Sequence, residues 1–312
     1  MFLYWISLPP LKMRVIIFND TQNFNGSLNF INKRFKRSEK RFWNYKKYIQ
    51  FLLNKVKSKN YFKDRDLQLK KVYFYEGKYS SNMLSDLKWS CHRKIKELNA
   101  LIAREHQLLN IISQERNIAR SLRKKINNHV DGIKRELEDN KKSYFTYLDK
   151  QLRNFEGQKK LFEELKGNQL IELRQTPLKQ NNGEVHQKGV DVLLATDLVH
   201  LAHTDAYDLA IILSGDTDLI EAVKLIRKLG KKVVIISYHT PRDPSQSNIS
   251  DLISTGKFIN LRDFTDEEIL AMSELREKVV PNEIIEQAGF HEGDSLEVVD
   301  IRKGEMRIRR KR

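Results

Sequence analysis

The run Arg14-Val-Ile-Ile-Phe18, which ends at Asn19-Asp20, limits the fold more than any other stretch of this sequence. It is apolar and β-branched without alternation, so it reads as a strand buried on both faces, the situation of an interior strand in a parallel sheet. Parallel neighbours cannot be joined by a tight turn and need a crossover, usually a helix. The rest of the chain should therefore alternate, and it does. Strands are expected at Lys71–Tyr75, Leu170–Arg174, Leu209–Leu213 and Lys232–Ser237. Helical patterns fall between them at about 42–56, 147–165, 190–202 and 218–229, the last closed by Gly230. The sum is an α/β chain with a doubly wound, mostly parallel sheet.

The six prolines stand at 9, 10, 177, 241, 244 and 281, so nothing from Leu11 to Thr176 breaks a helix. Between the second and third strands about 60 residues, 81–140, exceed any ordinary crossover. Leu87, Ile95, Leu98, Ile102, Leu109, Ile118, Leu122, Ile126, Val130, Ile133 and Leu137 recur there mostly at helical or heptad steps. A chain that leaves a sheet and returns to it predicts an antiparallel, coiled-coil-like helical hairpin, with its turn near Asn127–Gly132. An oligomerisation or spacer arm is its plain role.

One cysteine, Cys91, in 312 residues excludes an internal disulfide framework and multi-cysteine zinc modules, and points to a cytoplasmic setting. The first dozen residues hold the run Phe2–Ile6 and Pro9-Pro10 but no secretory pattern. Met13, just before the first strand, reads as an alternative start. No stretch reaches the about 18 apolar residues of a membrane span, so no membrane partner is expected.

The net charge of +16 favours a polyanion, nucleic acid above all. Lys33, Arg34, Lys36, Arg37, Lys40, Arg41, Lys46 and Lys47 crowd one segment, interleaved with Phe35, Phe42, Trp43, Tyr45 and Tyr48. Cations that pair with phosphates beside aromatic faces that stack bases suit single-stranded nucleic acid. The same spacing equally fits a helix with Phe42, Tyr45 and Ile49 in a core and a solvated lysine face.

Three short segments carry the acidic residues. Asp20 ends the first strand; Lys188-Gly189-Val190-Asp191 opens a helix that also holds Asp197; Ser214-Gly215-Asp216-Thr217-Asp218 follows a strand. Carboxyl ends of strands line the crevice of an open α/β sheet. Asp20, Asp191, Asp216 and Asp218 can meet there, and their mutual repulsion calls for a divalent cation, Mg²⁺ or Mn²⁺ by the hardness of oxygen ligands. On a basic chain that implies metal-assisted phosphodiester hydrolysis. Taken singly, each aspartate also fits a helix cap or a turn. His200 and His203 are three apart on a helix but have no evident third ligand.

The motifs Phe-Asn-Asp-Thr-Gln-Asn (18–23), Lys-Gly-Val-Asp-Val-Leu-Leu-Ala-Thr-Asp-Leu (188–198) and Tyr-Asp-Leu-Ala-Ile-Ile-Leu-Ser-Gly-Asp-Thr-Asp-Leu (207–219) resemble the NYN domain, the LabA-like branch of the PIN-like nucleases. The resemblance implies a Rossmann-like sheet and a metal-dependent endoribonuclease acting on RNA. It makes Asp20, Asp191, Asp216 and Asp218 the catalytic and metal positions, with Asn23, Ser214, Thr217 and Lys188 in support. Asn19 and Leu219 depart from the usual apolar and aromatic residues, and the long insertion is not typical. Residues 13–262 would form this domain, and 263–312 a linker helix and tail. In the tail, Pro281, Gly293-Asp294 and two strands joined at Gly304 resemble the AbrB/MazE swapped-hairpin module, implying a homo-oligomer. A plain β-hairpin fits the tail as well. The competing reading of the whole chain is a nucleic-acid-binding scaffold that works through the arm and tail.

Overall fold

The computed structural model describes residues 11–36, 39–59, 61–62, 65–114, 119–181, 184–240, 249–275, 296–302 and 305–310. The chain divides into two compact units. One takes in the chain up to Phe24 and from Val56 to Arg262; the other holds Asn25–Lys55 and the chain from Asp263 onward.

The larger unit is built on six parallel strands: β1 (Leu11–Asp20), β3 (Arg65–Lys78), β4 (Ile171–Pro177), β7 (Leu209–Leu213), β8 (Lys232–Ser237) and β9 (Lys257–Asn260). Their order is β4-β3-β1-β7-β8-β9, so the sheet grows outward in both directions from β1 and β7. That reversal makes the β1/β7 boundary the topological switch point, where the loops beyond the two strands part and leave a crevice. The apolar runs explain the placement. All five residues of β7 are buried, and Ile16, Phe18, Ala210 and Ile212 share a core with Val190, Leu194, Leu198 and Ala202 of α5 (Val190–His203) and with Val223 and Ile226 of α6 (Ile220–Lys228).

Beneath α5, the rings of Phe18, Tyr73 and Tyr75 stack 5.9–6.4 Å apart. Asp197 locks the helix onto them. It takes two hydrogen bonds of 2.7 Å from Arg174 of β4 and one of 3.0 Å from the Tyr75 hydroxyl. Asp197 is thus a strut between α5 and the sheet.

The insertion is helical, but the turn is not at Asn127–Gly132. Helix α3 (Ser81–Gln114) is followed by α4 (Arg120–Leu165), which runs unbroken through Asn127, Asn128 and Gly132 and absorbs the helix expected at 147–165. Two asparagines and a glycine read as a turn in sequence. A lone Gly costs a helix only about 1 kcal/mol, and Val130, 6% exposed, is packed in its place. The helices are antiparallel: Leu87 and Cys91 meet Leu148 near the root, whereas Arg123 donates to the Ser113 carbonyl near the tip. The root sits at the carboxyl end of β3. Gln158 donates to the Gly77 carbonyl (2.6 Å) and to Glu76 (3.1 Å) and accepts from Tyr79 N–H (3.1 Å), while the Tyr79 hydroxyl donates to Gln151 (2.6 Å). A small hairpin, β5 (Lys179–Asn181) with β6 (Glu184–His186), supports it, Val185 packing against the root and bonding the Tyr147 hydroxyl.

In the second unit, β2 (Arg41–Trp43) pairs antiparallel with β10 (Ser273–Leu275), beside α2 (Tyr45–Ser58) and α8 (Asp266–Met272). Trp43, Tyr45 and Tyr48 are buried, and Phe51 meets Phe264. Arg34 pairs with Asp266 at 2.8 Å, Arg41 bonds the Ser273 hydroxyl at 2.7 Å, Lys47 pairs with Glu274 at 3.1 Å and Lys55 pairs with Glu268. Much of the basic segment is therefore fastened to its own unit, with Trp43, Tyr45 and Tyr48 in the core rather than offered to bases, whereas Phe35 is half-buried and Phe42, expected in the core, is exposed. Lys33, Lys36, Lys40 and Lys46 stay exposed; Arg37 lies outside the described residues. The strands β11 (Leu296–Arg302) and β12 (Glu305–Arg310) form an antiparallel pair. Pro281 and Gly293-Asp294 of the tail motif lie outside the described residues.

Candidate metal centre

The site grows out of strand register. In the β1/β7 pairing Phe18 faces Ile212 and Asn19 faces Leu213, so the next residues, Asp20 and Ser214, leave the sheet side by side. The Ser214 hydroxyl donates to Asp20 Oδ2 at 3.0 Å, and Asn23 N–H donates to Asp20 Oδ1 at 3.1 Å as α1 (Thr21–Ile31) begins. The loop after β7 is tied back in turn. Gly215 N–H donates to Asn23 Oδ1 (2.9 Å), Asp216 N–H to Ser214 Oγ (3.1 Å), and Asp218 N–H to Asp216 Oδ1 (2.9 Å). The third acidic segment arrives from α5. Gly189, at φ 83°, turns the chain into the helix in a left-handed conformation natural to glycine, and Asp191 follows in the first turn.

Asp20, Asp191 and Asp216 meet: each offers a carboxylate oxygen, and the three lie within 4.8 Å of one another. Asp20 is 3% exposed and the other two are half-buried. Burial pushes the Asp20 carboxyl up to about 6, and the charges of Asp191 and Asp216 add to the rise, while the Asn23 and Ser214 bonds oppose it. Asp191 is raised as well, first by burial and then by Asp216 and Asp218. A set of three carboxylates without nitrogen or sulfur, too close to be comfortable when ionised, fits a hard divalent cation.

Asp218 does not join the trio. It is exposed and lines an open cavity of about 580 Å³ with Thr217, Glu221, Lys224, Asp251 and Ser254, although its charge reaches Asp191. Of the supporting residues, Asn23 and Ser214 hold Asp20 directly; Lys188 is exposed at the entry to α5. His200 and His203 lie exposed on the solvent side of α5.

One acidic residue at this edge escaped the motifs. Glu76 stands at the end of β3, one residue past Tyr75, the register partner of Asp20. Burial raises its carboxyl to about 7, with Asp20 adding to the rise; Gln158 holds Oε1, and Oε2 is buried without a partner. A single Glu at a strand end carries no motif, and only the β1/β3 register reveals it.

The chain thus presents an open parallel α/β sheet with an acidic trio at its switch point. Residues 107–261 match the family model of the NYN domain. That segment holds Asp191, Asp216 and Asp218; Asp20 and Asn23 precede it and join it through the β1/β7 pairing. The uncharacterized protein y4oD of Sinorhizobium fredii is 32% identical over 90 residues, 26% of this chain and 42% of that relative, so less than half of its length is spanned. A crystal structure of a protein of unknown function from Vibrio parahaemolyticus aligns over 81% of this chain and 94% of its own, with 15% identity and a TM-score of 0.36. Among the described residues no helix is long and apolar enough to cross a membrane.

Proposed function

We propose that the chain is a Mg²⁺- or Mn²⁺-dependent endoribonuclease of the PIN-like, LabA-like kind, with Asp20, Asp191 and Asp216 as the ligands of its cation. The observation that carries this reading is the convergence of three carboxylates from three separate segments within 4.8 Å at the sheet's switch point, on a chain of net charge +16. Asp20, Asp191 and Asp216 would hold the cation, which would supply Lewis acidity toward a water and a phosphate oxygen. The protein's own share is positioning. Ser214 and Asn23 fix both oxygens of Asp20, and the Asp218 backbone fixes Asp216. Asn23 has its amide oxygen engaged by Gly215, which leaves Nδ2 to donate to a phosphate oxygen. Asp218 adds negative charge at the rim and helps retain the cation. Lys33, Lys36, Lys40 and Lys46 are the proposed backbone contacts in the basic segment.

The test is incubation of the purified protein with end-labelled single-stranded and hairpin RNA in Mn²⁺, Mg²⁺ or EDTA, alongside Asp216→Asn. Metal-dependent internal cleavage that disappears in the variant supports the reading. Binding without cleavage in every condition refutes it and leaves the scaffold role.

A further inference from the structure

We infer that the tip of the helical arm is an RNA-binding surface that grips the phosphate backbone of a duplex at a distance from the acidic edge. The inference rests on the nucleic-acid part of the reading above and extends it to a substrate shape, a rigid duplex long enough to reach the tip.

The first observation is where α4 keeps its charge. Residues 120–130 contain four basic residues, Arg120, Arg123, Lys124 and Lys125, and no acidic one; residues 131–165 contain eight of each. All the excess positive charge of this 46-residue helix thus lies in its first three turns. A helix amino terminus carries partial positive charge, so cations there oppose the macrodipole and acidic residues are preferred. None occupies the first turn. The start is poor in other ways too, since Ala119 provides no side-chain cap and the Asn127 Oδ1 is buried without a partner. Several local stability rules broken at one spot mark a place kept for function.

The second observation is the shape and chemistry of that spot. An open groove of about 710 Å³ is lined by Arg120, Arg123 and Lys124, by Ser121, Asn127 and Asn128, and by a single carboxylate, Asp131. Arg123 is held by the Ser113 carbonyl, whereas Arg120, Lys124 and Lys125 are exposed and make no ion pair among the described residues. Basic, hydroxyl and amide side chains together are the set that contacts phosphate and sugar without reading sequence. The third observation is distance. The root contacts lie at the carboxyl end of β3, the same edge as Asp20, and α4 then runs from Tyr147 to Arg120, about 40 Å at 1.5 Å per residue. A double-stranded RNA module of comparable reach covers about 16 base pairs by shape and backbone contacts.

The experiment measures binding of the full-length protein in EDTA to RNA duplexes of about 30 and about 10 base pairs, over a salt series, for wild type and for Arg120→Gln/Lys124→Gln/Lys125→Gln. The triple variant is expected to weaken long-duplex binding roughly tenfold at low salt and to lower the salt slope by about two to three. Short-duplex affinity and the melting temperature should hold or, for the latter, rise. Unchanged long-duplex affinity and slope overturn the proposal. So does a change of oligomeric state without a change in RNA binding, which would make the tip a protein interface. The readout is binding, so it stands apart from the nuclease reading, whose failure would appear as absent cleavage.

Discussion

Replacing Asp20 by Asn should make the metal-free protein more stable while removing its cation. Asp20 is almost fully buried, and its carboxyl is raised from 3.8 to about 6, so keeping it ionised at pH 7.5 costs the fold about 3 kcal/mol. The replacement is isosteric. Its Oδ1 still accepts from Asn23 N–H, and its Nδ2 can donate to the Ser214 hydroxyl, which has a second lone pair beyond the one that Asp216 N–H uses. In EDTA at pH 7.5 the variant should therefore gain about 2–3 kcal/mol, or roughly 5–10 °C in Tm for a unit of this size. The sign follows from proton linkage. Because the folded pKa lies above the unfolded value, the native state binds more protons between about pH 4 and 6, and wild-type stability falls as pH rises through that window. The advantage of the variant must then shrink to nothing by about pH 4. With millimolar Mn²⁺ the order should reverse, since ligand binding stabilises only the wild type. Urea denaturation of both proteins at pH 4, 5.5 and 7.5, with EDTA or Mn²⁺, gives the comparison. A variant less stable than wild type in EDTA at pH 7.5, or a gain that does not fall with acid, would refute the reasoning.

Other parts of the structure carry their own expectations. Asp197→Ala leaves Arg174 and the Tyr75 hydroxyl without their partner and should cost about 2–4 kcal/mol by denaturant titration, the partial exposure of Arg174 keeping it below the full buried-pair value; a cost under about 0.5 kcal/mol contradicts the strut. Gln158→Leu strips Glu76, Gly77 and Tyr79 of one bond each and should cost about 2–3 kcal/mol, with faster amide exchange at the root of α4 than at β7. Mn²⁺ protection of the wild type against heat should be full at pH 7.5 and fade below about pH 6, where Asp20 takes up a proton; protection that persists at pH 5 contradicts its role as a ligand.

How far the sequence reveals this structure depends on what each segment packs against. Strands β7 and β8 begin and end at the residues their apolar runs indicate, because a strand buried on both faces has no room for ambiguity. β3 extends well past its apolar centre, from Arg65 to Lys78, since its outer parts alternate and only pairing with β1 and β4 shows they are strand. β9 has four residues with polar ends and forms by pairing with β8. The arm was legible as helix from its periodicity, but the stretch between α3 and α4, Glu115–Ala119, holds no Gly or Pro, so the turn signal lay on Asn127–Gly132 instead. Trp43, Tyr45 and Tyr48 look alike as core or as stacking platforms until burial separates the two. At the site, the three motifs point to Asp20, Asp191 and Asp216, because two strand ends and a helix start after Gly189 are recognisable in local sequence. The outward position of Asp218 and the presence of Glu76 follow from loop and register geometry that no local pattern encodes.

The central claim is that Asp20, Asp191 and Asp216 form one cation site, and direct measurement of Mn²⁺ binding tests it. Electron paramagnetic resonance titration of free Mn²⁺ at pH 7.5 should show saturable binding by the wild type and its loss, by tenfold or more in affinity, in Asp20→Asn, Asp191→Asn and Asp216→Asn alike, with a smaller effect in Asp218→Asn. Binding unchanged in all three trio variants, or no saturable binding by the wild type, would contradict the account.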